Sequence, residues 1–170
     1  MRLMTGGSLA ERIKQGPLPI LEVARIFTRL ASALDEAHRK GIIHRDLKPG
    51  NILFDNRSDP YISDFGIAKM AEAGGSVTGS SIIGTPAYMS PEQAKGQRDI
   101  DGRSDIYAFG AILFEMLTGK LPYDADTPMG VVVKHITEPV PRIRDVKPDL
   151  SPECEAVISR AMAVVNMRDD

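Results

Sequence analysis

His44-Arg45-Asp46-Leu47-Lys48-Pro49-Gly50-Asn51 is followed by Asp64-Phe65-Gly66 and later by Gly84-Thr85-Pro86-Ala87-Tyr88-Met89-Ser90-Pro91-Glu92. These stretches hold most of the chain's candidate chemistry, and each lies between segments with a clearer structural period. Upstream, from Pro19, the apolar residues Ile20, Val23, Phe27, Leu30, Leu34 and Ala37 recur at three- and four-residue steps until Gly41. That pattern predicts a long amphipathic helix stopped by a glycine. Ile42-Ile43, Ile52-Leu53-Phe54 and Tyr61-Ile62 are short apolar runs bounded by turn residues, and they read as very short strands framing the loops. Loops held by rigid neighbours are where positioned side chains usually sit.

Downstream, residues 67–83 are poor in large apolar groups and rich in glycine and serine, which reads as a mobile loop. Ser90-Pro91-Glu92-Gln93 offers a capping serine, a proline at the first helical position and a glutamine three residues on, the signature of a helix start. From Ser104 to Thr118 the chain is apolar on most sides, with Gly119 beyond, so a buried central helix is expected. Thr127-Pro128 and Ser151-Pro152 open two further helices, near Met129 to Ile136 and Glu153 to Val165. No internal repeat or low-complexity tract interrupts this order. The predicted fold class is mainly α with short β-strands.

At 170 residues the chain fits one domain, large enough to bury roughly 70% of its unfolded surface. Its 21 Lys plus Arg against 23 Asp plus Glu give a formal charge of −2, and the pI is near 5.9. Such a balance offers no general attraction to nucleic acid or anionic membrane, so any phosphate recognition has to be local. Cys154 has no cysteine partner and reads as a buried core thiol in a reducing compartment. No apolar run reaches the roughly 20 residues of a membrane helix, and Met1 to Gly7 has no signal-peptide character. The expectation is a cytoplasmic chain, compatible with a membrane anchor elsewhere in a longer protein.

Taken singly, Asp46 reads as a turn or cap residue, Asp64 as an Asx-turn residue before Gly66, Lys48 as a surface lysine and Leu53 as core. Taken together, the three stretches resemble the catalytic loop, metal-binding tripeptide and substrate-side loop of the eukaryotic-like (Hanks-type) serine/threonine protein kinases. Asp46-Leu47-Lys48-Pro49-Gly50-Asn51 and Ile83-Gly84-Thr85-Pro86-Ala87-Tyr88-Met89-Ser90-Pro91-Glu92-Gln93-Ala94 are closest to the bacterial type. The resemblance implies the larger, C-terminal lobe of that fold and transfer of the ATP γ-phosphate to serine and threonine hydroxyls of proteins, with Mg²⁺ as cofactor. Asp46 would face the accepting hydroxyl; a carboxylate with a pKa near 3.9 orients it and takes its proton late. Lys48 would stand beside the transferring phosphate and Thr85 would bond Asp46 and Lys48. Asn51 and Asp64 would supply oxygens to Mg²⁺, which takes the rest of its shell from phosphate and water. Leu53 would floor the adenine pocket, with the Gly50 backbone near the ribose.

The same resemblance makes Arg45 the partner of a phosphate on the loop that follows, with Lys69 beside it. Thr78, then Ser80, Ser76 and Ser81, are the candidate modified residues. His44 and Phe65 resemble members of a hydrophobic spine. Asp105 resembles a central-helix aspartate that ties down the catalytic-loop backbone, and Glu92 an acid that pairs with an arginine late in the lobe. The likeness runs from Thr5-Gly6-Gly7-Ser8-Leu9, similar to the end of the inter-lobe hinge, to about Ala163. No lysine or glutamate occupies the position of the small-lobe pair that binds the α and β phosphates. From Ala161 to Asp170 the family's Lys-Asn/Asp-Pro-x-x-Arg pattern is missing, and Arg168 has the wrong spacing to replace its arginine. Residues 1–170 are therefore expected to be a partial kinase domain without its small lobe and with an altered C-terminal end, binding ATP weakly alone. A small lobe or another kinase protomer would then be an association partner. The alternative is a catalytically inactive, free-standing large lobe that binds proteins through its helices.

Overall fold

A computed structural model describes residues 4–65 and 86–163. Its elements follow in the order α1 (Leu9–Ile13), α2 (Ile20–Arg39), a 3-10 turn Pro49–Asn51, β1 (Ile52–Phe54), β2 (Pro60–Ile62), a 3-10 turn Pro86–Tyr88, α3 (Pro91–Ala94), α4 (Gly102–Thr118), α5 (Pro128–Thr137), α6 (Ile143–Val146) and α7 (Pro152–Ala163). This is the mainly helical fold expected, with one two-stranded antiparallel sheet among the described residues.

The most apolar segment, α4, occupies the centre and is buried almost all round, through Tyr107, Phe109, Ile112, Phe114, Met116 and Leu117 among others. Asp101 caps its start by accepting the Arg103 N–H, and Gly119, at φ 70°, ends it by donating to the Glu115 carbonyl at 2.7 Å. Against one side lies α2, whose buried stripe Val23, Ile26, Leu30 and Leu34 follows the sequence period. Each such side chain contributes about 1.5–3 kcal/mol when fully removed from water. Phe27 stacks on Phe109 with centroids 4.3 Å apart. Ile20, read as part of that stripe, stands at the first helical position and is half exposed. Helix α7 packs on another side of α4 closely enough that a Cβ on Gly110 would come within 2.9 Å of Ala161 Cβ and Met162 Cγ.

Ile42-Ile43 is not a strand. Gly41 takes φ 72°, its N–H donates to the His38 carbonyl at 2.9 Å, and the Ile42 N–H donates to Ala37 at 2.9 Å. The chain here closes α2 with a Schellman turn, so the backbone groups a strand would need are already used. The other two short runs do pair, Ile52 opposite Ile62 and Phe54 opposite Pro60. Residues 6–8 run along the free edge of β1, with the Gly6 N–H donating to Phe54 and the Phe54 N–H to Gly7, both at 2.9 Å. A Cβ on Gly6 would lie 2.5 Å from the Asp55 carbonyl oxygen, so this approach needs glycine.

Helices α1 and α6 were not evident in the sequence. The first opens with a capping box in which Ser8 accepts the Glu11 N–H and the Glu11 carboxylate accepts the Ser8 N–H. Cys154 is half-buried at the margin of the core rather than inside it, and partial burial pushes its thiol pKa up. The loop read at residues 67–83 lies outside the described residues.

Candidate active site

The candidate loop hangs from α4. Asp105, 1% exposed, accepts the His44 N–H through Oδ2 and the Arg45 N–H through Oδ1, each at 2.8 Å. His38 at the end of α2 donates from Nε2 to the same Oδ2 at 2.8 Å. Two oxygens thereby hold the entrance of the loop, and they hold it where Arg45 takes φ 64°. A non-glycine residue in the left-handed region costs about 1 kcal/mol or more, so this backbone persists because its amides are pinned. From the other side, Gln93 donates its side-chain amide to the Arg45 carbonyl at 2.7 Å while its oxygen caps Ser90, which joins the loop to the start of α3.

His44 is fully buried. Its Nε2 lies 2.8 Å from the Ser63 carbonyl, which can only accept, so the proton sits on Nε2 and Nδ1 is free to accept the Asp46 N–H at 3.3 Å. Its ring meets Phe65 with centroids 4.8 Å apart. One imidazole therefore links the loop carrying Asp46 to the strand end carrying Asp64.

Asp46 is part-buried and forms an ion pair with Lys48, whose Nζ lies 3.0 Å from Oδ2. Asn51 donates its amide N–H to the Asp46 carbonyl at 2.9 Å, which leaves its own side-chain oxygen as an acceptor. The Asn51 carbonyl takes the Ser63 N–H at 2.8 Å, and the Ser63 hydroxyl stands 3.1 Å from both that carbonyl and Asp64 Oδ2. Asp64 is exposed at φ 53°. Leu53 is half-buried on β1 and Gly50 is exposed, with open space where a Cβ would be. Among the described residues no group of three His, Cys, Asp or Glu is gathered as metal ligands. One carboxylate and one amide oxygen are nonetheless a suitable donor pair for a hard cation that fills its shell with phosphate and water.

Beside the loop, the Tyr88 hydroxyl donates to Glu115 Oε2 at 2.6 Å. Burial pushes the carboxyl pKa of Glu115 up, and burial together with this carboxylate pushes the phenol of Tyr88 up. An open cleft of about 500 Å³ adjoins this pair, lined by Ile13, Lys14, Pro49, Tyr88, Glu115 and Lys120 among others. Glu92 is buried and accepts from the Ser104 hydroxyl, while its Oε2 has no hydrogen-bond partner among the described residues. Thr85, Lys69, the candidate modified residues Thr78, Ser80, Ser76 and Ser81, and Arg168 all lie outside the described residues. His38 and Gln93 were missed as site residues. The capping signature at Ser90 exposed Gln93 as a helix residue, but nothing local indicated its reach to Arg45.

Among the described residues no helix is long and apolar enough to cross a membrane. The family model for the protein kinase domain matches residues 1–167. The probable serine/threonine-protein kinase PknB of Lactococcus lactis is 40% identical over 164 residues, covering 96% of this chain and 26% of that protein. Serine/threonine-protein kinase pkn3 of Myxococcus xanthus is 43% identical over 160 residues, covering 88% of this chain and 29% of its own length. For serine/threonine-protein kinase PknB of Mycolicibacterium smegmatis the identity is 42% over 151 residues, with 87% and 24% covered. The chain thus spans between about a quarter and a third of the length of these curated relatives. With a family match over nearly all of its length, and with the Asp46, Asn51 and Asp105 constellation in the middle of that match, the chain belongs to the protein kinase family.

Proposed function

We propose that this lobe supplies the phosphoryl-transfer residues of a serine/threonine protein kinase, passing the γ-phosphate of Mg-ATP to hydroxyls on proteins. The observation that carries the reading is the Asp46–Lys48 ion pair at 3.0 Å on a loop pinned from both sides by Asp105 and Gln93. Such chemistry depends on position and charge more than on covalent participation. Asp46 holds the accepting hydroxyl in line, a bond forms between that oxygen and the γ-phosphorus, the bond to the bridging β–γ oxygen breaks, and the hydroxyl proton passes to Asp46. Lys48 places its ammonium where negative charge gathers on the transferred group. Asn51 and Asp64 would hold Mg²⁺, which supplies neutralising charge to the phosphates when bound. The relatives of this chain are named as serine/threonine-protein kinases, which favours this reading over the alternative of a non-catalytic protein-binding lobe.

The test is the intact mass of a generic phosphoacceptor protein after incubation of this chain with Mg-ATP, beside Asp46→Asn. A slow gain of phosphate that vanishes in Asp46→Asn is expected. Equal gain in both samples would remove Asp46 from the chemistry, and no gain in either would deny the lobe transfer activity of its own.

A further inference from the structure

Helix α5 carries a buried histidine that none of the chemistry above employs. His135 is 3% exposed, in a cage formed by Tyr107 of α4 and Tyr123, whose rings stand edge-on to it with centroids at 5.6 and 4.8 Å. Its Nδ1 is 2.8 Å from the Tyr107 hydroxyl. Its Nε2 is buried with no partner at hydrogen-bond geometry among the described residues, and the backbone carbonyls of Pro86 and Ala87 are the acceptors that act on the ring. Those carbonyls belong to the turn that continues from Gly84-Thr85, and α5 packs against that turn.

A neutral imidazole has one proton to place. If it sat on Nδ1, the Tyr107 oxygen would accept it and the bare Nε2 lone pair would face two carbonyl oxygens that can only accept. If it sits on Nε2, the Tyr107 hydroxyl donates to Nδ1 and the ring presents its N–H to the Pro86 and Ala87 carbonyls. The second arrangement leaves no acceptor facing acceptors in a buried site, where an unpaired polar atom is costly. We infer that His135, as its Nε2–H tautomer, is a positioning residue through which α4 and α5 hold the substrate-side turn Pro86–Tyr88 in place. Burial also pushes the His135 pKa down to about 4, which keeps the ring neutral near pH 7. That this turn faces substrate rests on the transfer function proposed above; that His135 sets its shape does not.

The test therefore reads the turn itself. In the ¹⁵N-histidine spectrum of the wild-type chain, His135 should show a protonated Nε2 and a bare Nδ1 at neutral pH, a result that needs no variant to fold. Met89 donates its N–H to the Pro86 carbonyl at 3.1 Å, so the exchange of this amide reports on the turn. His135→Asn keeps an acceptor near Nδ1 for Tyr107 but removes the donor, and His135→Gln returns an amide N–H near the Nε2 position. Relative to the Ile112 amide in α4, Met89 exchange should rise about tenfold in His135→Asn, as expected when a buried polar contact to the turn is lost, and return close to wild type in His135→Gln. A protonated Nδ1 in the wild type would overturn the proposal. So would unchanged Met89 exchange in His135→Asn, or an equal acceleration at Met89 and Ile112 in both variants. None of these readouts requires phosphate transfer, so failure of the functional reading is seen separately.

Discussion

Asp105, itself buried, serves three donors with two oxygens, and the consequence of removing it can be stated in free energy. Asp105→Ala would strand the His44 and Arg45 amides and the His38 N–H, so a loss of about 3–5 kcal/mol is expected in urea unfolding, the range for breaking a buried charged network. His135 makes a pH-dependent contribution. In the folded chain its pKa lies near 4 against 6.5 for the free group, so between those values the unfolded chain binds more protons. Its stabilisation is whole above about pH 6.5 and is lost as pH falls toward about 4, by about 3 kcal/mol for a shift of this size. His135→Gln should flatten that part of the profile, as measured by urea unfolding of both proteins across the window. The Asp46 to Asn51 loop was legible because its motif is packed into one continuous run. The contributions of His38, Gln93 and His135 were not, because each meets its partner 67, 48 or 28 residues away, where no local period can reach.

Helices α2 and α4 were readable from apolar spacing because burial acts on each turn. Helix α1, with five residues, is too short for a period, and only the Ser8 and Glu11 capping pair marks it. The Ile42-Ile43 run misled because apolar pairs look alike whether they join a sheet or close a helix; Gly41 was the deciding residue. Contacts between helices provide two further expectations. Gly110→Val would push a branched side chain into Ala161 and Met162 and should cost about 1–3 kcal/mol through overpacking, visible as a lower melting temperature. Thr127 accepts the Gly130 N–H at 3.0 Å at the start of α5, and Thr127→Ala should cost about 1 kcal/mol in the same measurement.

At the scale of the whole molecule, most of the buried apolar side chains among the described residues form one cluster that runs from Leu9 to Met162 and includes residues of α1, α2, β1, α4, α6 and α7. A single core of this kind predicts one cooperative transition, with far-ultraviolet circular dichroism and the emission of the chain's 4 tyrosines giving coincident urea curves. Two separated curves would mean that part of the cluster opens independently. The Asp105 anchor also imposes an order on biosynthesis. His38, His44 and Arg45 precede it by 67, 61 and 60 residues, so a ribosome delivers the loop well before the residue that fixes it. A nascent chain halted between Asp64 and Asp105 carries the whole stretch from Asp46 to Asp64 with Asp105 still untranslated. The geometry of the loop is thus completed during translation only after the central helix has emerged.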